Sequence, residues 1–120
     1  MLKPIPSRIL KTTATVHVCN GVDRYQKPSY TDYTVSRVHL QPTNEVRKTA
    51  TDAEIVLRSI LFVDARISSP LLDWCSLLDD AHSKAGDVKI TIRGVDYTVA
   101  AVDELRDDDD LIHHWEIALV

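Results

Sequence analysis

The chain has 120 residues, of which 44% are hydrophobic and 27% charged, and this composition is typical of one folded globular domain. Residues 1–60 contain nine Lys or Arg and five Asp or Glu, a net +4, whereas residues 61–120 contain five and thirteen, a net −8. The acidic half argues against a dedicated nucleic-acid-binding protein, because such proteins usually present a basic face.

The first ten residues, MLKPIPSRIL, contain two prolines and lack the apolar core of a signal peptide. We therefore expect a protein made in the cytoplasm, with a single domain over residues 1–120 and a loose arm over residues 1–10. Cys19 and Cys75 lack metal-ligand spacing and are expected to be free thiols in a reducing compartment. The longest apolar run, residues 60–63, is too short to cross a bilayer, so no membrane association is expected.

The first half of the chain contains two predicted strands. Thr12–Val18 is rich in β-branched residues and is followed by an Asn-Gly pair, which is a turn signal. Tyr30–Leu40 is the second predicted strand. Because side chains alternate along a strand, we expect Val35 and Arg37 on one of its faces and Val38 on the other.

The polar stretch QPTNEVRKTATD lacks periodicity and predicts a long loop over residues 41–53. Loops of this length are often functional, so we expect a docking or gating role. The candidate residues for that role are Gln41, Asn44, Glu45, Arg47, Lys48 and Asp52. The next stretch, Ala53–Ala65, has a β-branched content that favours one long strand over a helix.

One helix is predicted at about residues 70–84, within SPLLDWCSLLDDAHSKAG. Ser69 is the expected N-cap, and Gly86 suits the left-handed position after the C-terminus. Apolar and aromatic positions recur at helical spacing on one face, namely Leu71, Trp74, Cys75, Leu78 and His82.

The C-terminal third predicts a hairpin and a closing strand. GDVKITIRGVDYTVAAV reads as two strands that turn at Gly94, and LIHHWEIALV as a terminal strand. The whole chain is therefore expected to be mainly β, a small β-barrel or sandwich of about five or six strands with one helix.

Two histidines in the terminal strand raise the question of a metal site. His113 and His114 are adjacent, so their side chains should point to opposite faces and cannot easily bind one ion. His114 and Glu116 should share a face. A small metal-binding domain or hydrolase that uses these two residues with a remote third ligand remains an alternative.

The acidic run before this strand comprises Asp107, Asp108, Asp109 and Asp110. A calcium loop spaces its ligands at alternate positions around a glycine, and this run has no glycine, so a solvated turn is expected. Cys75 and His82 would be about 10 Å apart along a helix, too far for a nucleophile and its base. No phosphate-binding or nucleophile motif is present in the sequence, so we expect no enzyme activity, cofactor or metal.

Three stretches, in order, resemble the minor capsid proteins encoded in the head–tail module of tailed phages and prophages. They are SILFVDARISSP (59–70), GDVKITIRGVDYTVAAV (86–102) and LIHHWEIALV (111–120). The residues similar to the closing strand of that family are His113, His114, Trp115 and Glu116.

The resemblance implies a structural virion protein with a small barrel like that of head-closure or stopper proteins. Such subunits form a homo-oligomeric ring at the neck, between portal or adaptor and tail proteins, and can stay monomeric in isolation. DNA passes through the ring without specific binding, and Asp107–Asp110 would face the channel or the next subunit. The oppositely charged halves suit head-to-tail contacts within a ring. An adaptor or tail-terminator subunit, or an interaction domain outside any phage, remains an alternative.

Overall fold

The computed structural model describes residues 8–22, 24–25, 27–48, 54–66, 68–69, 72–83 and 88–120. Within these ranges one helix, α1, runs over Trp74–Ser83, between the fifth and sixth strands of the chain. The strands are β1 Thr12–Val22, β2 Pro28–Pro42, β3 Val46–Lys48, β4 Glu54–Val56, β5 Ser59–Asp64, β6 Val88–Ile92, β7 Val95–Arg106 and β8 Ile112–Leu119.

Six of these strands form a closed barrel in the order β1-β2-β5-β8-β7-β6, and β6 pairs with β1 to close it. Every neighbouring pair in the barrel is antiparallel. The mainly β prediction, with a small barrel and one helix, is confirmed. Closure pairs β1 and β6, which would otherwise be the two edge strands of the sheet, with each other.

The core fills the inside of the barrel with inward-facing aliphatic side chains from all six strands. Helix α1 contacts β1, β6 and β7, and Trp74 at its start is 1% exposed and belongs to the same apolar cluster. The largest aliphatic side chains in the cluster are Leu61, Ile90, Ile92, Ile117 and Leu119. Burial of this apolar area is the main stabilising term of the fold.

The predicted alternation of β2 fails after Val35 because the strand contains a bulge. Val35 pairs with Ala14 and Val38 with Thr12, so β2 has one residue more than β1 over this stretch. Arg37 has φ +59°, and both Val35 and Val38 are fully buried. The prediction that these valines lie on opposite faces was therefore wrong.

Helix α1 begins four residues later than predicted. Asp73 is the N-cap: its carboxylate accepts hydrogen bonds from the backbone N–H of Ser76 at 3.3 Å and from the Ser76 hydroxyl at 3.0 Å. Ser69, the predicted cap, instead forms a bridge with Ser36, with backbone N–O distances of 2.7 and 3.2 Å. Asp73 is the N-cap because its carboxylate faces the free N–H groups of the first turn. Ser69 is not available as a cap, since its backbone N–H and C=O are hydrogen-bonded to Ser36 of β2.

The structure describes only some of the side chains in the predicted apolar stripe of the helix. Trp74 is buried, while Cys75 and Leu78 are half-buried on the same helix. Leu71, Gly86 and the side chain of His82 lie outside the described residues. No helix in the described part of the chain is long and apolar enough to span a membrane.

The prediction of a long loop over residues 41–53 was wrong for most of residues 41–48, the part of it that the structure describes. Gln41 and Pro42 complete β2, and β3 pairs with β4 in a separate antiparallel sheet of two strands. The single long strand predicted over Ala53–Ala65 is broken between β4 and β5 at Leu57 and Arg58. Leu57 is 1% exposed there, and the break lets the chain leave the barrel as a short hairpin.

The predicted N-terminal arm falls mostly outside the described residues, which begin at Arg8. Arg8 and Ile9 form an exposed turn, whereas Leu10 is 3% exposed. The end of the predicted arm is therefore packed against the domain.

Candidate interaction surfaces

The most prominent surface feature outside the barrel is the β3–β4 hairpin, residues 46–48 and 54–56. Its facing pairs are Val46 with Val56, Arg47 with Ile55, and Lys48 with Glu54. Because side chains alternate along a strand, the two valines share one face, and they are 55% and 58% exposed. An exposed apolar pair on a short two-stranded sheet is a candidate contact surface.

The opposite face of the hairpin is tied to the barrel through Arg47. Its Nε lies 2.9 Å from Glu45 Oε1, and its Nη1 lies 3.3 Å from Asp103 Oδ2 on β7. The hydrogen bond to Glu45 raises the pKa of Arg47, with smaller contributions from the charges of both carboxylates, against an opposing effect of burial. The guanidinium therefore orients the hairpin, and the two valines stay uncovered.

The predicted loop residues do not form one site. Glu45, Arg47 and Lys48 belong to the hairpin or its base, and Asn44 is exposed beside them. Gln41 lies on the barrel wall and its Oε1 is 3.3 Å from Nε2 of His39. Asp52 lies outside the described residues. The sequence did not indicate the Val46–Val56 pair, because each strand of the hairpin is only three residues long.

The acidic turn closes the β7–β8 connection. Asp107 Oδ1 accepts hydrogen bonds from the backbone N–H of Asp109 at 2.9 Å and of Leu111 at 3.1 Å. Desolvation acts to raise the pKa of Asp107, but these two backbone donors outweigh it and lower the pKa. Asp108, Asp109 and Asp110 are exposed, so the turn presents a dense negative charge.

Carboxylate oxygens of Asp107, Asp108 and Asp109 lie within 4.8 Å of one another, which is close enough to face one cation. Oδ1 of Asp107 already accepts hydrogen bonds from two N–H donors of the turn. The geometry is therefore that of a side chain that shapes a tight turn.

The terminal strand β8 divides its predicted residues between the inside and the outside of the barrel. Trp115 is 3% exposed and belongs to the core, and its indole N–H has no hydrogen-bond partner within the described residues. His114 and Glu116 lie on the outer face, with His114 Nε2 3.2 Å from Glu116 Oε2. Their predicted common face agrees with this contact.

His113 departs from the predicted alternation. Leu105 pairs with His114 and Arg106 with Ile112, so His113 is the extra residue of a bulge in β8. Its Nδ1 lies 2.8 Å from Nδ1 of His114, and the two rings meet edge-on with centroids 5.0 Å apart. The prediction that the adjacent histidines diverge was wrong, because the bulge turns His113 toward its neighbour.

A shallow apolar groove of about 400 Å³ crosses the outer wall beside this pair. The ring of Phe62 lies between His39 and His114, with centroid distances of 5.8 and 6.2 Å. Ile9 and Gln41 complete the lining. The sequence did not indicate this groove, since His39 and Phe62 are brought together only by strand pairing between β2 and β5.

A hydroxyl–imidazole–carboxylate chain also occurs on the outer wall, but its polarity excludes nucleophile activation. His17 Nδ1 is 2.6 Å from Asp32 Oδ1, and its Nε2 is 3.0 Å from Thr91 Oγ1. The Thr91 hydroxyl donates to Asp96 Oδ1 at 2.6 Å, so its proton is not offered to the imidazole. This series of hydrogen bonds links side chains on neighbouring strands of the barrel.

The Cys75 thiol lacks the electropositive surroundings that activate a nucleophile. Burial raises its pKa, and the negative charges of Glu104, Asp73, Asp79 and Asp103 raise it further. The reactive thiolate form is therefore disfavoured at Cys75. Cys19 is buried and also free.

The described residues form a closed barrel with an external hairpin and an acidic turn. Comparison with known families gives the class directly: a family model described as minor capsid protein matches residues 6–119. The chain therefore belongs to the minor capsid protein family and is a structural component of a phage virion. The sequence resemblance to that family is confirmed. No curated protein matches the chain.

Proposed function

We propose that this minor capsid protein is a head–tail connector subunit that forms a ring at the neck of the virion, as head-closure proteins do. The observation that carries the proposal is the β3–β4 hairpin, whose Val46 and Val56 project uncovered from a barrel that is otherwise closed. A ring needs two different contact surfaces on each subunit, and an arm that projects from a barrel is one way to supply the first.

The hairpin is suited to docking because its inner face is already fixed. Arg47 is bound by Glu45 and Asp103, so the hairpin does not have to be ordered at the moment of contact. The exposed valines then contribute apolar burial, at roughly 25 cal/mol per Å² of apolar surface removed from water. The contact partner is the next subunit, or a portal, adaptor or tail protein.

The acidic turn suits a protein that surrounds DNA without gripping it. Asp108, Asp109 and Asp110 are exposed, and a ring would repeat their charge around its circumference. Phosphates are repelled by such a surface, which lets DNA slide through the channel. The subunit is made in the host cytoplasm and functions in the virion neck.

Replacement of residues 46–56 by Asn-Gly tests the proposal. The bond from Leu57 N–H to the Glu45 carbonyl, 2.9 Å long, is the closing bond that a two-residue turn requires, so the barrel should fold unchanged. We expect normal circular dichroism and thermal unfolding, with heads that fill but do not join tails.

The control is Arg93→Asn, which gives the exposed turn between β6 and β7 the same Asn-Gly sequence. This change leaves the β3–β4 hairpin intact. Infectious particles from the control and none from the hairpin deletion support the docking role. Infectious particles in normal numbers from the deletion contradict it.

A further inference from the structure

The His113–His114 pair is a hydrogen-bonded pair of imidazoles whose proton positions can be assigned from chemistry. A carboxylate only accepts, so His114 donates its Nε2–H to Glu116 across 3.2 Å. A neutral His114 then has a lone pair on Nδ1. His113 donates its Nδ1–H to that lone pair across 2.8 Å.

We propose that this pair is a binding site for a divalent zinc ion, held by the Nδ1 atoms of His113 and His114. The ion takes the place of the bridging proton, which moves through solvent to Nε2 of His113, so both imidazoles stay neutral. The proposal concerns these two side chains alone and does not rest on the connector role.

The two rings must separate slightly and turn before they can accept the ion. With Zn–N distances of about 2.0–2.1 Å and a tetrahedral angle, the two nitrogens must be about 3.3 Å apart, against 2.8 Å in the hydrogen-bonded pair. The corresponding ring centroids are about 5.2 Å apart, against the present 5.0 Å. With ring centroids 5.0 Å and Nδ1 atoms 2.8 Å apart, the two Nδ1 atoms now point almost directly at each other, so each ring must turn by about 35° to aim its lone pair at a shared tetrahedral ion.

Glu116 gives His114 the support that metal-binding histidines usually have. A ligating histidine commonly donates its other N–H to a carboxylate, which fixes the tautomer and makes the ligating nitrogen more basic. His114 is 17% exposed, so the ring is held by its surroundings and still open to solvent. Water completes the coordination, because two protein ligands leave two positions of a tetrahedral ion.

His39 provides a matched control on the same wall of the barrel. The ring of Phe62 lies between His39 and His114. Its centroid is 5.8 Å from that of His39 and 6.2 Å from that of His114. At that separation His39 cannot share an ion with the pair. Its removal should leave zinc binding unchanged.

The test is calorimetric titration of the tag-free protein with Zn²⁺ alone. We expect one equivalent to bind, with the affinity reduced about tenfold or more in His113→Ala and in His114→Ala, since loss of even an outer partner costs about 10–100-fold. His39→Ala should bind as the unmodified protein does. The proposal is overturned if the His113 and His114 variants bind zinc as tightly as the unmodified protein does. It is also overturned if the unmodified protein does not bind zinc.

A second measurement on the unmodified protein avoids any effect of the substitutions on folding. Nitrogen-15 NMR of the histidine rings should show zinc-dependent shifts at Nδ1 of both His113 and His114, with protons on both Nε2 atoms. Shifts at another histidine, with these two unchanged, contradict the assignment.

Discussion

Arg47 on the β3–β4 hairpin and Asp103 on β7 form an ion pair, with Nη1 and Oδ2 3.3 Å apart, that joins the hairpin to the barrel wall. Their side chains are 27% and 56% exposed. Pairs in such solvated positions typically contribute about 0–1 kcal/mol to stability. The pair therefore acts mainly on the position of the hairpin, since the barrel has its own core.

Asp103→Asn should loosen the hairpin without unfolding the barrel. We expect a change of about 1 kcal/mol or less in the free energy of unfolding, and faster amide hydrogen exchange confined to the two hairpin strands. Mass spectrometry of exchange checks this. Glu104→Gln is the control, because Glu104 bonds Arg106 and not the hairpin. Equal hairpin exchange in both variants would show that the Arg47–Asp103 pair does not hold the hairpin.

Val46→Asp combined with Val56→Asp should block assembly while leaving the fold intact. Both valines are more than half exposed, so their replacement removes little of the core, but two adjacent carboxylates oppose an apolar contact. Infectivity and thermal unfolding are measured together. Val95→Asp, at a valine 40% exposed on the barrel, is the matched control. A fully infectious double variant would place the contact elsewhere on the subunit.

Asp107→Asn should make the stability of the protein less dependent on pH in the acidic range. The folded-state pKa of Asp107 is lowered by its two backbone donors, so its ionised form stabilises the fold above the unfolded-state pKa. That contribution disappears as the pH falls through the folded-state pKa. The difference in melting temperature between the two proteins should be largest at neutral pH and vanish in acid.

The control for this pH series is Asp79→Asn, which alters an exposed carboxylate on α1. Its melting temperature gives the baseline effect of removing one surface carboxylate. A constant difference for Asp107→Asn across the whole pH range would show that the turn depends on its shape rather than on its charge.

Leu61→Ala should destabilise the barrel by about 2–5 kcal/mol, because a fully buried leucine leaves a cavity that the closed sheet cannot collapse around. Leu111→Ala is the matched control at a leucine that is 52% exposed, and its effect should be within about 0.5 kcal/mol. Urea unfolding measures both. Similar losses for the two variants would contradict the position of the core inside the barrel.

The barrel could be predicted from the sequence because strand periodicity is a local property. Thr12–Val18 carries clear alternation and lies in β1, and the turn predicted at Gly94 joins β6 to β7. The turn signal at Asn20-Gly21 was wrong, because both residues lie within β1. The bulges at Arg37 and His113 could not be predicted in this way. Arg37 and His113 are not residues that mark a bulge, and both bulges follow from the pairing with neighbouring strands.

The candidate surfaces were harder to predict because they depend on contacts between distant residues. Strands of three residues, as in the hairpin, are too short to produce a periodic signal, so the stretch resembled a loop. Asp103, which holds the hairpin, lies 56 residues from Arg47 in sequence. The family could nevertheless be inferred, since its resemblance rests on ordered local stretches from Ser59 to the end of the chain.

Cryo-electron microscopy of the neck in intact virions tests the connector role most directly. We expect a ring of this barrel between portal and tail, with Val46 and Val56 of each subunit buried against a neighbouring protein. Density for the barrel at the far end of the tail would favour a tail-terminator role instead. Its absence from the neck would contradict the proposed function.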